Sequence, residues 1–223
     1  DAAVTRTDVD VAALLRDVRR DLHETDPEGV MVGEGFTDLA ASYCDAFWNW
    51  NQLDHPEVVR YSVPWMRFSC EIDALEYGEA NLCFVHGILL DLKIEGGVGI
   101  LSDFPAFQAH LRSLSGLKEA LGDTLACGDF EDEDGIRLAG DGAVIAKIHI
   151  HHSAGCGAVL FANQADRPAT AGLELLFPAA DIERLSFSGG RTHASPRESL
   201  RLGPWEVGAL AFRITEREPV EWK

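Results

Sequence analysis

Near Gly122 the hydrophobic period of this chain changes, and that change limits the folds open to it. Before it, segments with apolar residues every three or four positions alternate with short apolar runs, the pattern of helices interleaved with strands. After it, short alternating or apolar runs recur at roughly 10-residue spacing, divided by Gly, Pro, Asp and Ser, as in an antiparallel sandwich. An alternating α/β segment followed by an all-β segment implies two domains of different class, here 1–122 and 123–223. A chain of 223 residues is long enough to bury a real core in each.

In the first half, Asp8 is a suitable N-cap for a helix over 9–23, whose Val11, Leu14, Leu15, Val18 and Leu22 keep the helical period. Asp26-Pro27-Glu28-Gly29 breaks that helix and leads into an apolar run that ends in Glu34, a carboxylate set between Gly33 and Gly35. A helix is expected over 37–50, and a second strand over 58–63, closed by Pro64. A third strand over 67–73, a helix over 75–92 and a last helix over 105–121 follow, the last with Pro105 in its first turn. In the second half, strands are expected at 144–151, 158–163, 172–177, 182–188, 199–202 and 207–214, and Glu131 to Gly135 reads as a solvated acidic loop. The first half thus supplies only two or three strands, too few for a closed parallel barrel of eight.

Composition narrows the partners. A formal charge of −18 argues against nucleic acid, whose phosphates attract basic surfaces. No apolar run approaches the ~20 residues of a membrane span, so no membrane partner is expected. Only four residues are Lys (Lys93, Lys118, Lys147, Lys223), as in a halophile's protein working in high salt or an acidic protein from a high-GC genome. Cys44, Cys70, Cys83, Cys127 and Cys156 form no C-x-x-C pair and are odd in number, so they outline neither a disulfide framework nor a zinc knuckle. The first three sit among apolar neighbours as small hydrophobes, and a reducing, cytoplasmic location is expected.

Taken in order, Asp26-Pro27 through Val32-Gly33-Glu34-Gly35-Phe36, Val59-Arg60-Tyr61 with Pro64, and residues 81–87 resemble the closing units of a TIM-barrel glycoside hydrolase. Val159-Leu160-Phe161-Ala162-Asn163 with Asp166, and residues 199–207, resemble the β-sandwich that follows such barrels. The likeness is to α-galactosidase-like barrel families. It implies the last strands and helices of a (β/α)8 barrel followed by an antiparallel β-sandwich, acting on a carbohydrate with carboxylates on two strand ends. It also implies that the earlier strands lie upstream, in the same or another chain, and that Glu34 stands on the sixth or seventh strand. No cofactor is expected. A non-catalytic carbohydrate-binding module, or one chain of a split enzyme, is the alternative.

Glycoside hydrolysis needs two carboxylates, ~5 Å apart for retention or ~6.5–9.5 Å for inversion. Glu34 is the leading catalytic candidate, because a barrel presents its chemistry at the C-terminal ends of its strands; the alternative is a cap on the following helix. Its glycine neighbours are expected to leave room for a sugar ring. Asp73, with Glu71 beside it, ends a strand and is a candidate sugar ligand or a solvated cap. Arg60, read as mid-strand, either pairs with a carboxylate inside the barrel or faces outward. Trp48, Trp50 and Trp65 are candidate stacking surfaces or core. Asp45 reads as a surface charge. His149 and His151 share a strand face, a spacing that can chelate zinc, but a plain strand with half-exposed histidines is favoured and no metal is expected.

Overall fold

The computed structural model describes residues 10–34, 37–49, 55–64, 66–93 and 100–215. Helix α1 (Val11–Thr25) begins at Asp10, whose carboxylate accepts from the Ala13 amide at 3.0 Å. Arg19 of α1 donates to the Asp45 carboxylate at 2.7 Å, and the other oxygen of Asp45 accepts from the Met31 amide at 2.9 Å. Asp45 is therefore the tie between α1 and the entries to the first two strands, a partly buried role that its expected surface position did not anticipate. The apolar stripe of α1 stays uncovered, with Val11, Leu14 and Val18 about half exposed.

Four parallel strands, β1 (Val32–Glu34), β2 (Ala46–Asn49), β3 (Arg67–Asp73) and β4 (Leu89–Lys93), stand side by side in chain order. Short helices connect them: α2 (Asp38–Ala41), α3 (Pro56–Ser62) and α4 (Tyr77–Val85), with α5 (Pro105–Leu121) after β4. Three expectations fail here. The helix over 37–50 is one turn followed by β2. The strand over 58–63 is helix α3, with Pro56 in its first turn, where a missing N–H costs nothing. The helix over 75–92 stops at Val85, because Gly87 takes φ +66 and the chain turns into β4. The sheet thus has four strands where two or three were expected.

The later residues form two antiparallel sheets. One has the order β11-β10-β13-β8-β7-β5, the other β12-β9-β6. Their strands are β5 (Asp129–Phe130), β6 (Ile136–Gly140), β7 (Val144–His151), β8 (Cys156–Asn163), β9 (Ala169–Leu175), β10 (Ala179–Ser186), β11 (Arg191–His193), β12 (Arg197–Leu202) and β13 (Val207–Ile214). A four-residue helix, α6 (Asp123–Ala126), leads into them. The larger sheet is buried on both faces. From β8, Val159 and Phe161 enter the core between the two sheets, while Ala158, Leu160 and Ala162 enter the core shared with α4, α5 and the parallel sheet. A strand covered on both sides gains from an apolar side chain at every position, which is why β8 reads as a continuous run without alternation.

Buried polar groups pin this second core across the seam. Asn81 on α4 is fully buried and donates to the carbonyls of Asn163 (3.0 Å) and Trp205 (3.1 Å). Its own carbonyl accepts from His110 of α5 at 2.9 Å. Tyr77 stacks on Trp205 with centroids 6.0 Å apart. From the other side, His149 of β7 is buried and donates to the Val85 carbonyl at 2.9 Å.

Candidate functional site

Side chains alternate along a strand, and neighbours paired side by side in a parallel sheet share a face. The register Gly33–Phe47–Phe68 places those residues on one face, continued by Cys70, Ile72, Leu90 and Leu92. Helix α4 covers that face with Cys83 and Phe84. The register Glu34–Trp48–Ser69–Leu89 defines the opposite face, which also carries Val32, Arg67, Glu71, Asp73, Asp91 and Lys93. None of those residues is buried; Val32 is 59% exposed and Leu89 52%. No described element packs over this face. A parallel sheet is ordinarily covered on both sides.

Glu34 stands at the C-terminal end of β1 on the open face, exposed and without an ion pair among the described residues. Gly33 points the other way: a Cβ there would lie 2.5 Å from the Phe47 ring. That glycine makes room for a core aromatic and not, as expected, for a sugar. Trp48 lies in the same row as Glu34 on the adjacent strand, half-buried. Asp73 ends β3 on this face, with one carboxylate oxygen buried and without a hydrogen-bond partner. Glu71 pairs with Lys93 at 2.8 Å. Lys93 and Asp91 on β4 were missed, since Leu82, Val85, Ile88, Leu89 and Leu92 also fit a helical stripe; the signal was Gly87 followed by the alternation of Leu89-Leu90-Asp91-Leu92-Lys93.

Two candidates fall elsewhere. Arg60 lies on helix α3, not mid-strand, and is only 1% exposed. Its guanidinium donates to the Met66 carbonyl at 2.6 Å and rests over the Phe130 ring, 5.8 Å from the centroid. Burial pulls its pKa down to about 10, so it stays charged at neutral pH, in the seam with the antiparallel sheets and away from Glu34. Trp65 and Trp50 lie outside the described residues. His149 is committed to the Val85 carbonyl, and His151 pairs with the Ser153 hydroxyl at 3.1 Å. Among the described residues no three His, Cys, Asp or Glu side chains converge as a metal set.

The register also tests whether a second carboxylate is at hand. Glu34 is level with Ser69 of β3, two strands away. At ~3.3 Å per residue and ~4.8 Å per strand, the backbones of Glu71 and Asp73 lie about 12 and 16 Å from that of Glu34. Glu71 is paired with Lys93, and Asp73 stands two residues beyond Glu71 along β3, further from the level of Glu34.

No family model matches the sequence, and no curated protein matches it. Solved structures do match in fold. A maltogenic alpha-amylase from Thermotoga neapolitana superposes with TM-score 0.59 at 11% identity, covering 92% of this chain and 59% of that one. An Anoxybacillus alpha-amylase gives 0.62 at 10%, covering 92% and 57%. A β-L-arabinopyranosidase from Geobacillus stearothermophilus, in complex with arabinose, gives 0.54 at 9%, covering 92% and 55%. The chain therefore shares the fold of part of several glycoside hydrolases, and it spans a little over half the length of each of these three.

Proposed function

We propose that this chain is the C-terminal portion of a glycoside hydrolase that cleaves O-glycosidic bonds in a carbohydrate. On this reading β1 to β4 are the last four strands of a (β/α)8 barrel, so that Glu34 ends its fifth strand and not the sixth or seventh that the shorter strand count implied; residues 1–122 belong to the barrel, and residues 123–223 form its β-sandwich. One observation carries the reading: among the described residues the parallel sheet is covered by helices on one face only, and the opposite face holds Glu34 at a strand's C-terminal end beside Trp48. The exposed stripe of α1 points the same way, since an upstream βα unit would cover it.

Glu34 acts there as acid/base or nucleophile. The partner carboxylate comes from an upstream strand of the same barrel, as the glycoside hydrolase resemblance implies. Trp48 supplies a flat apolar surface for a sugar face, and Asp73 supplies a carboxylate on the same face for a sugar hydroxyl. The chain alone is then inactive. Co-expressed with its upstream polypeptide, it is expected to hydrolyse members of a panel of aryl glycosides and malto-oligosaccharides. Glu34→Gln should lower kcat by about a thousandfold or more while KM changes little. Undiminished turnover in that variant would sink the assignment.

A further inference from the structure

Far from the open face, α5 runs past the hairpin between β10 and β11 and leaves a groove of about 330 Å³ across the seam. Its floor is apolar, from Leu117 and Leu185. Among the described residues its charged lining is Arg112 and Arg191 alone. That is a notable local reversal in a chain with 37 acidic and 19 basic residues. Arg112 makes no ion pair among the described residues. Arg191 donates to the Ala120 carbonyl (3.2 Å) and forms an ion pair with Glu183 (3.3 Å), which engages two of its N–H groups and leaves the others available.

The remaining walls suit a hydroxylated ring. Ser113 and Ser188 offer hydroxyls. Phe187 is half-buried, its ring 5.2 Å from that of His110, and it borders the groove as a fixed flat surface. Gly116, exposed on the groove-lining side of α5, leaves room there: a Cβ added to it would meet no atom within 4 Å. Arg112, Gly116 and Ala120 lie along one face of α5 over ~12 Å of helix axis, so the groove is elongated.

We infer that this groove binds an acidic saccharide, its carboxylate held by the forked donors of Arg112 and Arg191 and a ring laid on Phe187. The saccharide part of the inference rests on the carbohydrate reading above; the anion part stands without it. A ligand seated here would touch both α5 and the β10–β11 hairpin and so clamp the two parts of the chain together.

Calorimetric titration of the whole chain with a uronic acid disaccharide, maltose and inorganic sulfate tests this. The acidic disaccharide should bind at least tenfold more tightly than either other probe and should raise the unfolding temperature. Arg112→Ala should weaken it about tenfold. Gly116→Trp should abolish it while leaving the circular dichroism spectrum and the melting temperature without ligand in place, since its side chain enters open space. Equal binding of maltose, equal binding of sulfate, or acidic-disaccharide binding that survives Gly116→Trp would each overturn the proposal. Hydrolysis by the Glu34→Gln protein is a separate readout, so the groove and the catalytic assignment fail independently.

Discussion

At Asn81 the hydrogen-bond inventory leaves no freedom. Its amide nitrogen faces two carbonyls, Asn163 and Trp205, so its oxygen must accept, and His110 must donate from Nε2. Burial pushes the His110 pKa down to about 4 and that of His149 down to about 3, so both rings are neutral in the folded chain at pH 7. In the unfolded chain each titrates near ~6.5. Between that value and the folded values the unfolded state binds more protons, so stability is full above about pH 6.5 and falls as the pH drops toward 4. Each ring contributes a slope of up to ~1.4 kcal/mol per pH unit within that window. Urea midpoints should fall from pH 7 to pH 5, and His110→Gln, less stable at pH 7, should fall by less; identical slopes would contradict the neutral, buried ring. Gly33 gives a second residue-scale outcome. Gly33→Ala places a methyl 2.5 Å from the Phe47 ring and should cost about 1–3 kcal/mol in chemical denaturation. An unchanged midpoint would mean that β1 does not pack as described.

Among the elements, those whose period and bounding residues agree were legible and those with competing periods were not. Helix α5 and strands β7 and β13 fall where the sequence places them. In each, the hydrophobic period and the bounding glycine, proline or acidic residues agree. Residues 58–63 failed because Val58, Val59 and Val63 carry strand propensity, yet the helix is decided by what it packs on: Val59 and Val63 join the core and Arg60 reaches Phe130. Residues 75–92 failed because Leu82, Val85, Ile88 and Leu89 fit a helical stripe across a turn made by Gly87. At φ +66, a Cβ on Gly87 would also stand 2.9 Å from the His149 ring. Gly87→Ala should therefore destabilise by about 1–3 kcal/mol, more than an average surface change. A melting temperature within a degree of the parent would show that the turn tolerates a side chain.

For the molecule as a whole, charge and sheet closure set the expectations. With a formal charge of −18, self-repulsion is strong in dilute buffer, and screening at multimolar salt should raise the unfolding midpoint by several degrees. A midpoint insensitive to salt would remove the high-salt expectation. If β1 to β4 close with upstream strands, hydrogen exchange at β1 and β4 should slow markedly when the upstream polypeptide is present, as edge amides become paired. Exchange unchanged by that polypeptide would argue for a self-contained sheet. The sequence alone determined the succession of an α/β half and an all-β half, the strand that carries Glu34 and the acidic surface, because each follows from local period, turn residues or composition. Only the tertiary structure decided that the parallel sheet has four strands, that Arg60 belongs to the seam and not to the Glu34 face, and that Asp73 shares that face but stands further along β3 than the level of Glu34. Those outcomes depend on register and on which surface each side chain meets, and neither is a property of a segment read by itself.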